Sequence, residues 1–369
     1  MAPKSVLFVS KPIAPPYHDG TKCLVRDVAL NLERVQPSVM SCAGTAPLGN
    51  VRMEAVYADS GSFAPALLDN VRAASWLLAR SRADLWHFVF APNVRTSKVG
   101  RAMKSLRRKP VVQTVASPPR SFDQAPDLLF GDVVVTQSRW TRAQFRRRFA
   151  QLEAEAPRMQ VIYPPVPRLR RRSAEELAAV RARLEIAEDR VVFVYPGDLE
   201  TSRGADTVAE AVKALVQLVP QAMVVFAYRP KTSRCEDRAR TLRARVPAEH
   251  TRFISTLSDV LALIQGARAV LFPVEDLWGK VDLPIVLLEA MELAVPVIAL
   301  DRGPLAELGG VKRIQQQSGD ALARAAYQVH VNAGEAAHIA REQHKFVEKH
   351  CRAPVTARAY EDLYLDLLS

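Results

Sequence analysis

Short β-branched runs alternate with longer segments of helical periodicity along the whole chain. Strand-like runs occur at "SVLFVS" (5–10), "SVMSCA" (38–43), "DLWHFVFA" (84–91), "PVVQTVA" (110–116), "DVVVTQS" (132–138) and "MQVIYPP" (159–165). Between them, helical periodicity falls at 22–34, 64–82, 96–107 and 139–149. The second half repeats the alternation, with strands at 190–197, 222–228, 252–255, 269–274 and 295–300. Its helices are predicted at 174–184, 205–219, 234–246, 257–266, 284–294 and 318–333. Such alternation predicts parallel sheets covered by helices on both faces, the doubly wound α/β class.

A Pro- and Arg-rich break, "YPPVPRLRRRS" (163–173), separates the two copies. Two Rossmann-like domains are therefore expected, 1–170 and 171–350, followed by a C-terminal helix in 351–369. The tail puts Tyr360, Leu363, Tyr364 and Leu367 at helical spacing, which suits packing on either domain. In open sheets of this class, ligands bind outside the carboxyl ends of the strands. With two such domains the expected site is the cleft between them.

Composition changes this picture little. Hydrophobic residues make up 49% and charged residues 24% of the 369, ordinary values for a globular protein. Cys23, Cys42, Cys235 and Cys351 are scattered without a CxxC pair, which points to reduced thiols and a cytoplasmic protein. The apolar run near the N-terminus is short and reads as a strand, not a leader. No uninterrupted apolar stretch approaches the ~18 residues of a membrane span.

Charge is the anomaly. Residues 1–172 carry a net +15 and residues 173–369 a net −3. The excess gathers in "KSLRRKP" (104–110), "RWTRAQFRRRF" (139–149) and "RLRRRS" (168–173). Two readings fit: an anionic partner for the first half, or solvated helix faces in an arginine-rich chain.

Three loops after strands offer chemistry. In the first, His18 and Asp19 stand beside Gly20, just ahead of a helix, where backbone N–H groups can approach an anion. In the second, Gly197, Ser202, Arg203 and Gly204 lead into a helix, and an arginine there can clamp a phosphate. The third is "GKVDLPIVLLEAMELAVPVIALD" (279–301), with helix entry at Asp282-Leu283-Pro284. That helix is apolar around nearly its whole circumference, apart from a narrow stripe holding Ile285, Glu289 and Glu292. Its glutamates need hydrogen-bond donors, whether sugar hydroxyls, solvent at an edge or an internal arginine.

These motifs resemble those of GT-B glycosyltransferases of the large retaining family 4 type, over nearly the full length. "PIVLLEAMELAVPVIALDRGPLAEL" is similar to the family's donor-binding signature, which implies a ribose contact at Glu289. The same stretch implies nucleotide binding by the helix start at Leu283, Pro284 and Ile285. "YPGDLETSRGADTVAEAV" resembles the glycine–basic–basic phosphate loop, with Arg203 in place of the family's lysine. The "HDG" loop sits where the family keeps a glycine pair, and the C-terminal helix is expected to cross back to the first domain. The chain departs from the pattern at Val281, where the family has the first glutamate of a pair, with Lys280 and Asp282 alongside. It departs also at Asp198, in place of a basic residue, and at Ala116, in place of a histidine.

The resemblance implies metal-independent sugar transfer from a nucleotide sugar with retention, the first domain holding the acceptor and the second the donor. Arg203, Lys280, Asp282 and His18 are the implied catalytic groups, and Asp19, Gly20, Gly197, Ser202 and Glu289 join the donor set. No cofactor beyond the co-substrate is expected, and no metal-ligand spacing stands out. The acceptor is a glycan, a lipid-linked sugar or a small molecule. Rival readings are a nucleotide- or glycan-binding protein without activity, and a nucleotide-sugar epimerase. The lack of G-x-G-x-x-G after either first strand argues against a dehydrogenase, and no nucleic-acid module is recognised. Segment 139–149 sets Arg142, Arg146, Arg147 and Arg148 beside Trp140, Phe145 and Phe149, which predicts an interfacial helix on an anionic inner membrane face.

Overall fold

A computed structural model describes residues 3–17, 19–59, 67–230, 232–255, 257 and 259–369. His18 lies outside the described residues. The chain divides into two compact units. Unit 1 is Met1–Pro167, Trp278–Ile285 and His350–Ser369, and unit 2 is Arg168–Leu277 and Val286–Lys349.

Unit 1 runs β1 (Ser5–Val9), α1 (Gly20–Leu30), β2 (Gln36–Cys42), β3 (Arg52–Tyr57), α2 (Leu67–Ala79) and β4 (Leu85–Phe90). It continues with α3 (Val94–Arg107), β5 (Val111–Val115), α4 (Ala125–Leu128), β6 (Val133–Thr136), α5 (Arg139–Gln151) and β7 (Arg158–Val161). The strands form one parallel sheet in the order β3-β2-β1-β4-β5-β6-β7. Its central strands are buried throughout, as in "VVQTV" of β5 and "VVVT" of β6, because helices cover both faces.

Unit 2 comprises α6 (Ala174–Arg183), β8 (Val191–Tyr195), α7 (Gly204–Leu218), β9 (Ala222–Ala227), α8 (Cys235–Arg243), β10 (Thr251–Ile254) and α9 (Val260–Gln265). Then follow β11 (Ala269–Phe272), α10 (Ile285–Glu292), β12 (Val297–Leu300), β13 (Lys312–Ile314), α11 (Gly319–Val331) and α12 (Ala333–His350). Its parallel sheet has the order β10-β9-β8-β11-β12-β13. Ser173 and Glu176 form a capping box at the start of α6.

The last helix, α13 (Ala353–Leu368), belongs to unit 1. Ala357, Tyr360, Leu363 and Tyr364 lie in one core cluster with Phe8, Val28, Val89 and Val112. Glu361, only 3% exposed, accepts hydrogen bonds from the backbone N–H groups of Glu33 (2.6 Å) and Arg34 (2.5 Å). A helix without a side-chain cap is thus held by burial of one face and by polar contacts, the Glu361 carboxylate among them.

Helix α5 corrects the interfacial reading. Phe145 and Phe149 are buried in the core beside Val134 and Met159, and Phe145 meets Phe122 edge-on at 4.9 Å. The aromatic residues at i and i+4 serve the interior, while Arg146 and Arg147 are exposed. Among the described residues, no helix is long and apolar enough to cross a membrane. All four cysteines are free.

Candidate functional site

In each sheet, the direction of strand progression reverses once: between β1 and β4 in unit 1, and between β8 and β11 in unit 2. Loops leaving the carboxyl ends at such a switch point are where open α/β sheets bind ligands. Two of the three candidate loops, after β1 and after β8, stand at these points.

In unit 2, the loop after β8 folds on itself. Asp198, 5% exposed, accepts hydrogen bonds from the Thr201 N–H at 2.9 Å and the Thr201 hydroxyl at 2.6 Å. The Tyr195 hydroxyl donates to the Asp198 carbonyl at 2.8 Å. Asp198 therefore closes the loop, which accounts for an acid at this position. Gly197 is required by packing: a Cβ there would stand 2.5 Å from the Tyr195 phenol oxygen.

The loop delivers Arg203 to the head of α7. Its backbone N–H donates to Glu275 Oε1 at 2.8 Å, which joins the β8 loop to the segment after β11. Ser202 Oγ accepts from the Gly204 N–H at 3.3 Å. The Arg203 side chain is 66% exposed, and its ion pair with Glu210 spans 4.0 Å. An exposed guanidinium beside a helix N-terminus is suited to an anionic group.

Helix α10 starts at Ile285, one residue beyond Pro284. Glu289 is half-buried on its second turn. Glu292, the last residue of the helix, is 8% exposed and lies beside His344 of α12.

In unit 1, the loop after β1 ends at Asp19, which caps α1. Its Oδ1 accepts from the N–H groups of Thr21 (2.9 Å) and Lys22 (3.2 Å), and its Oδ2 pairs with Lys11 at 3.0 Å. The carboxylate occupies the place an anion would take at this helix end. Gly20 has a different reason from the one expected: a Cβ would come within 2.8 Å of Val281 Cγ2. Val281 is 6% exposed, so this position serves packing against α1's first residue.

The remaining residues of the segment are also interior. Asp282 and Leu283 are fully buried, Pro284 is buried, and Ile285 sits in the core cluster of α1 and α13. Asp282 Oδ2 accepts from the Ser138 hydroxyl at 2.7 Å, and Ser138 Oγ in turn caps α5 by accepting from the Thr141 N–H at 3.0 Å. Asp282 is placed to hold a helix start. Lys280 is half-buried at the edge of this segment. Ala116, 1% exposed, donates its N–H to the Phe90 carbonyl at 3.0 Å and offers no side chain for chemistry.

Two contacts are not foreshadowed by the sequence pattern. The Arg120 guanidinium lies over the Trp278 ring, 3.9 Å from its centroid, and Glu275 organises the loop of Arg203. Only the placement of Glu275 just after β11 could have pointed to it. Ser138→Ala should destabilise unit 1 by about 1–3 kcal/mol, since it removes both a cap and a hydrogen bond to a buried carboxylate. Urea unfolding followed by tryptophan fluorescence checks this; an unchanged midpoint would refute it.

Residues 178–328 match the family model described as "Glycosyl transferases group 1". No curated protein matches the sequence. Among solved structures, Anabaena Alr3699/HepE in complex with UDP and glucose is similar, with TM-score 0.73 and 16% identity, over 97% of this chain and 98% of that one. An α,α-trehalose-phosphate synthase (UDP-forming) from Burkholderia xenovorans, in complex with glucose-6-phosphate, gives TM-score 0.73 and 13% identity over 99% and 100%. The N-terminal domain of Candida albicans trehalose-6-phosphate phosphatase gives 0.76 and 10% over 98% and 96%. At these identities the likeness establishes the fold, the GT-B kind with two parallel-sheet α/β units.

Proposed function

We propose that the protein is a glycosyltransferase that moves a sugar from a nucleotide-sugar donor to an acceptor. One observation carries this reading: the switch-point loop that presents Arg203 lies inside the segment matching group 1 glycosyl transferases. The donor belongs to unit 2. Arg203 meets the diphosphate, and Glu289 accepts hydrogen bonds from the ribose hydroxyls.

The finer reading is transfer with retention, of the family 4 type, with no metal in the chemistry. The bond between the anomeric carbon and the phosphate oxygen breaks, and the acceptor oxygen bonds to the same face. The departing phosphate takes the acceptor's proton, so no side-chain nucleophile is needed. Arg203 stabilises the charge that develops on the diphosphate, and in many enzymes such electrostatic stabilisation lowers the barrier more than any other effect. The acceptor belongs to unit 1, where His18 and Lys280 are the candidate polar groups and Asp282 acts through Ser138. An anionic membrane would have to be met by the exposed arginines of α3 and α5, since Phe145 and Phe149 are interior.

A thermal-shift panel of UDP, GDP, ADP, CMP and their sugars, on wild type and Glu289→Ala, tests the reading. UDP heads the panel because the HepE structure holds it. One nucleotide should raise Tm, with the shift at least halved in the variant. If no nucleotide shifts Tm, the donor reading fails. A shift without donor turnover would favour an inactive binding protein, a reading supported by Asp198 and Val281, both committed to packing and loop closure.

A further inference from the structure

Arg120 stands in the loop that leaves the carboxyl end of β5, the strand between β4 and β6 in the sheet of unit 1. The residue is exposed, yet its guanidinium is held in place: it lies over the half-buried Trp278 ring, 3.9 Å from the centroid. Both residues belong to unit 1. Among the described residues, no hydrogen bond or ion pair engages the Arg120 side chain beyond this ring contact. The acid closest to it in sequence, Asp123, is engaged by other groups. It accepts from the Ser121 hydroxyl at 2.6 Å and lies 3.7 Å from the Arg148 guanidinium.

We propose that Arg120, positioned by Trp278, binds an anionic group on the acceptor, which is therefore a sugar carrying a phosphate monoester or a carboxylate. The proposal rests on the glycosyltransferase reading and names the class of its acceptor. Contact with a ring face is made through charge and π-surface, and it leaves the N–H donors of the fork for a ligand. Two of those donors match two oxygens of one phosphate or carboxylate. Resting on the ring also removes side-chain freedom that binding would otherwise cost.

Position and field favour the same ligand. Open α/β sheets bind at the carboxyl ends of their strands, where Arg120 stands. Residues 1–172 carry a net +15, so the potential of this half draws an anion in. The anionic group takes no part in bond making, and the diphosphate is left to Arg203. The competing account is an arginine that merely shields the Trp278 ring, and it requires no preference for charge on the acceptor.

The test uses full-length protein saturated with the nucleotide selected by the panel, which fills the site of the donor's phosphates. Glucose, galactose and mannose are titrated, each as neutral sugar, 6-phosphate and uronate, with binding read by ligand-observed NMR. Wild type should bind an anionic form about tenfold or more tighter than its neutral parent, as charge-assisted hydrogen bonds allow. Whether that form is the phosphate or the uronate identifies the anion. Arg120→Ala should bring the two within about twofold of each other. Arg120→Lys should retain part of the difference, and Trp278→Leu should lose most of it, because the guanidinium loses its support. The Tm shift given by the nucleotide should be unchanged in all three variants. If no nucleotide binds, the donor reading fails and takes this proposal with it. If nucleotide binds but no anionic sugar binds better than its parent, or Arg120→Ala keeps the preference, the proposal alone is overturned.

Discussion

Arg203→Ala is expected to lower kcat/KM for the nucleotide-sugar reaction about 10²–10³-fold, the loss typical when one donor to a developing oxyanion is removed. Stability should not follow. The guanidinium is 66% exposed and its ion pair with Glu210 spans 4.0 Å, so the pair contributes within the ~0–1 kcal/mol of surface ion pairs. What holds the loop is the backbone bond from Arg203 N–H to Glu275 Oε1, which alanine keeps. Arg203→Lys should fall between the two, retaining charge but losing the planar fork. The assay is initial-rate turnover of the donor selected by the nucleotide panel, alongside thermal denaturation. An unchanged kcat/KM for Arg203→Ala would remove the phosphate role from this loop.

The strands are legible where both faces of the sheet are covered, because a continuous β-branched run has few other uses. β5 and β6 are of this kind, with every residue buried. β3 escapes the pattern because it is an edge strand whose first four residues, "RMEA", are only partly covered. β13 escapes it because three residues carry too little periodicity. Helix α12 runs for 18 residues but buries only Ala336, Ile339, Gln343 and Val347, so its inward stripe is narrow and partly polar.

The site is legible as positions and not as reasons. Gly20 and Gly197 stand out in the sequence as glycines after strands, where anion approach is the local expectation. Their neighbours in space are Val281 and Tyr195, and the first is 261 residues away, a separation that no local pattern reveals. The same applies to Asp282, whose partner Ser138 lies on another element. Arg203 is accessible to sequence reasoning because its setting, strand then glycine then helix, is entirely local.

Acid should weaken unit 1 through one histidine. His87 of β4 is 1% exposed, with Nδ1 2.7 Å from the Tyr364 hydroxyl and Nε2 2.7 Å from Thr114 Oγ1. Thr114 Oγ1 lies 3.0 Å from the Tyr360 hydroxyl, so the network ties α13 to β4 and β5. Burial pushes the imidazole pKa down to about 3, and it is neutral in the folded chain. Unfolding restores a value near 6.5. The unfolded state therefore takes up a proton that the folded state refuses, and stability is complete above pH ~6.5 and falls as pH drops toward 3. At ~1.4 kcal/mol per unit, this group accounts for about 2 kcal/mol by pH 5 and about 4–5 kcal/mol by pH 3. All four tryptophans, Trp76, Trp86, Trp140 and Trp278, lie in unit 1, so their fluorescence reports that unit alone. Urea unfolding at pH 7.0 and 5.0 should show wild type losing about 2 kcal/mol more than His87→Gln, even though the variant is less stable at pH 7.0. Equal losses in the two proteins would mean that His87 is not the group that couples α13 docking to pH.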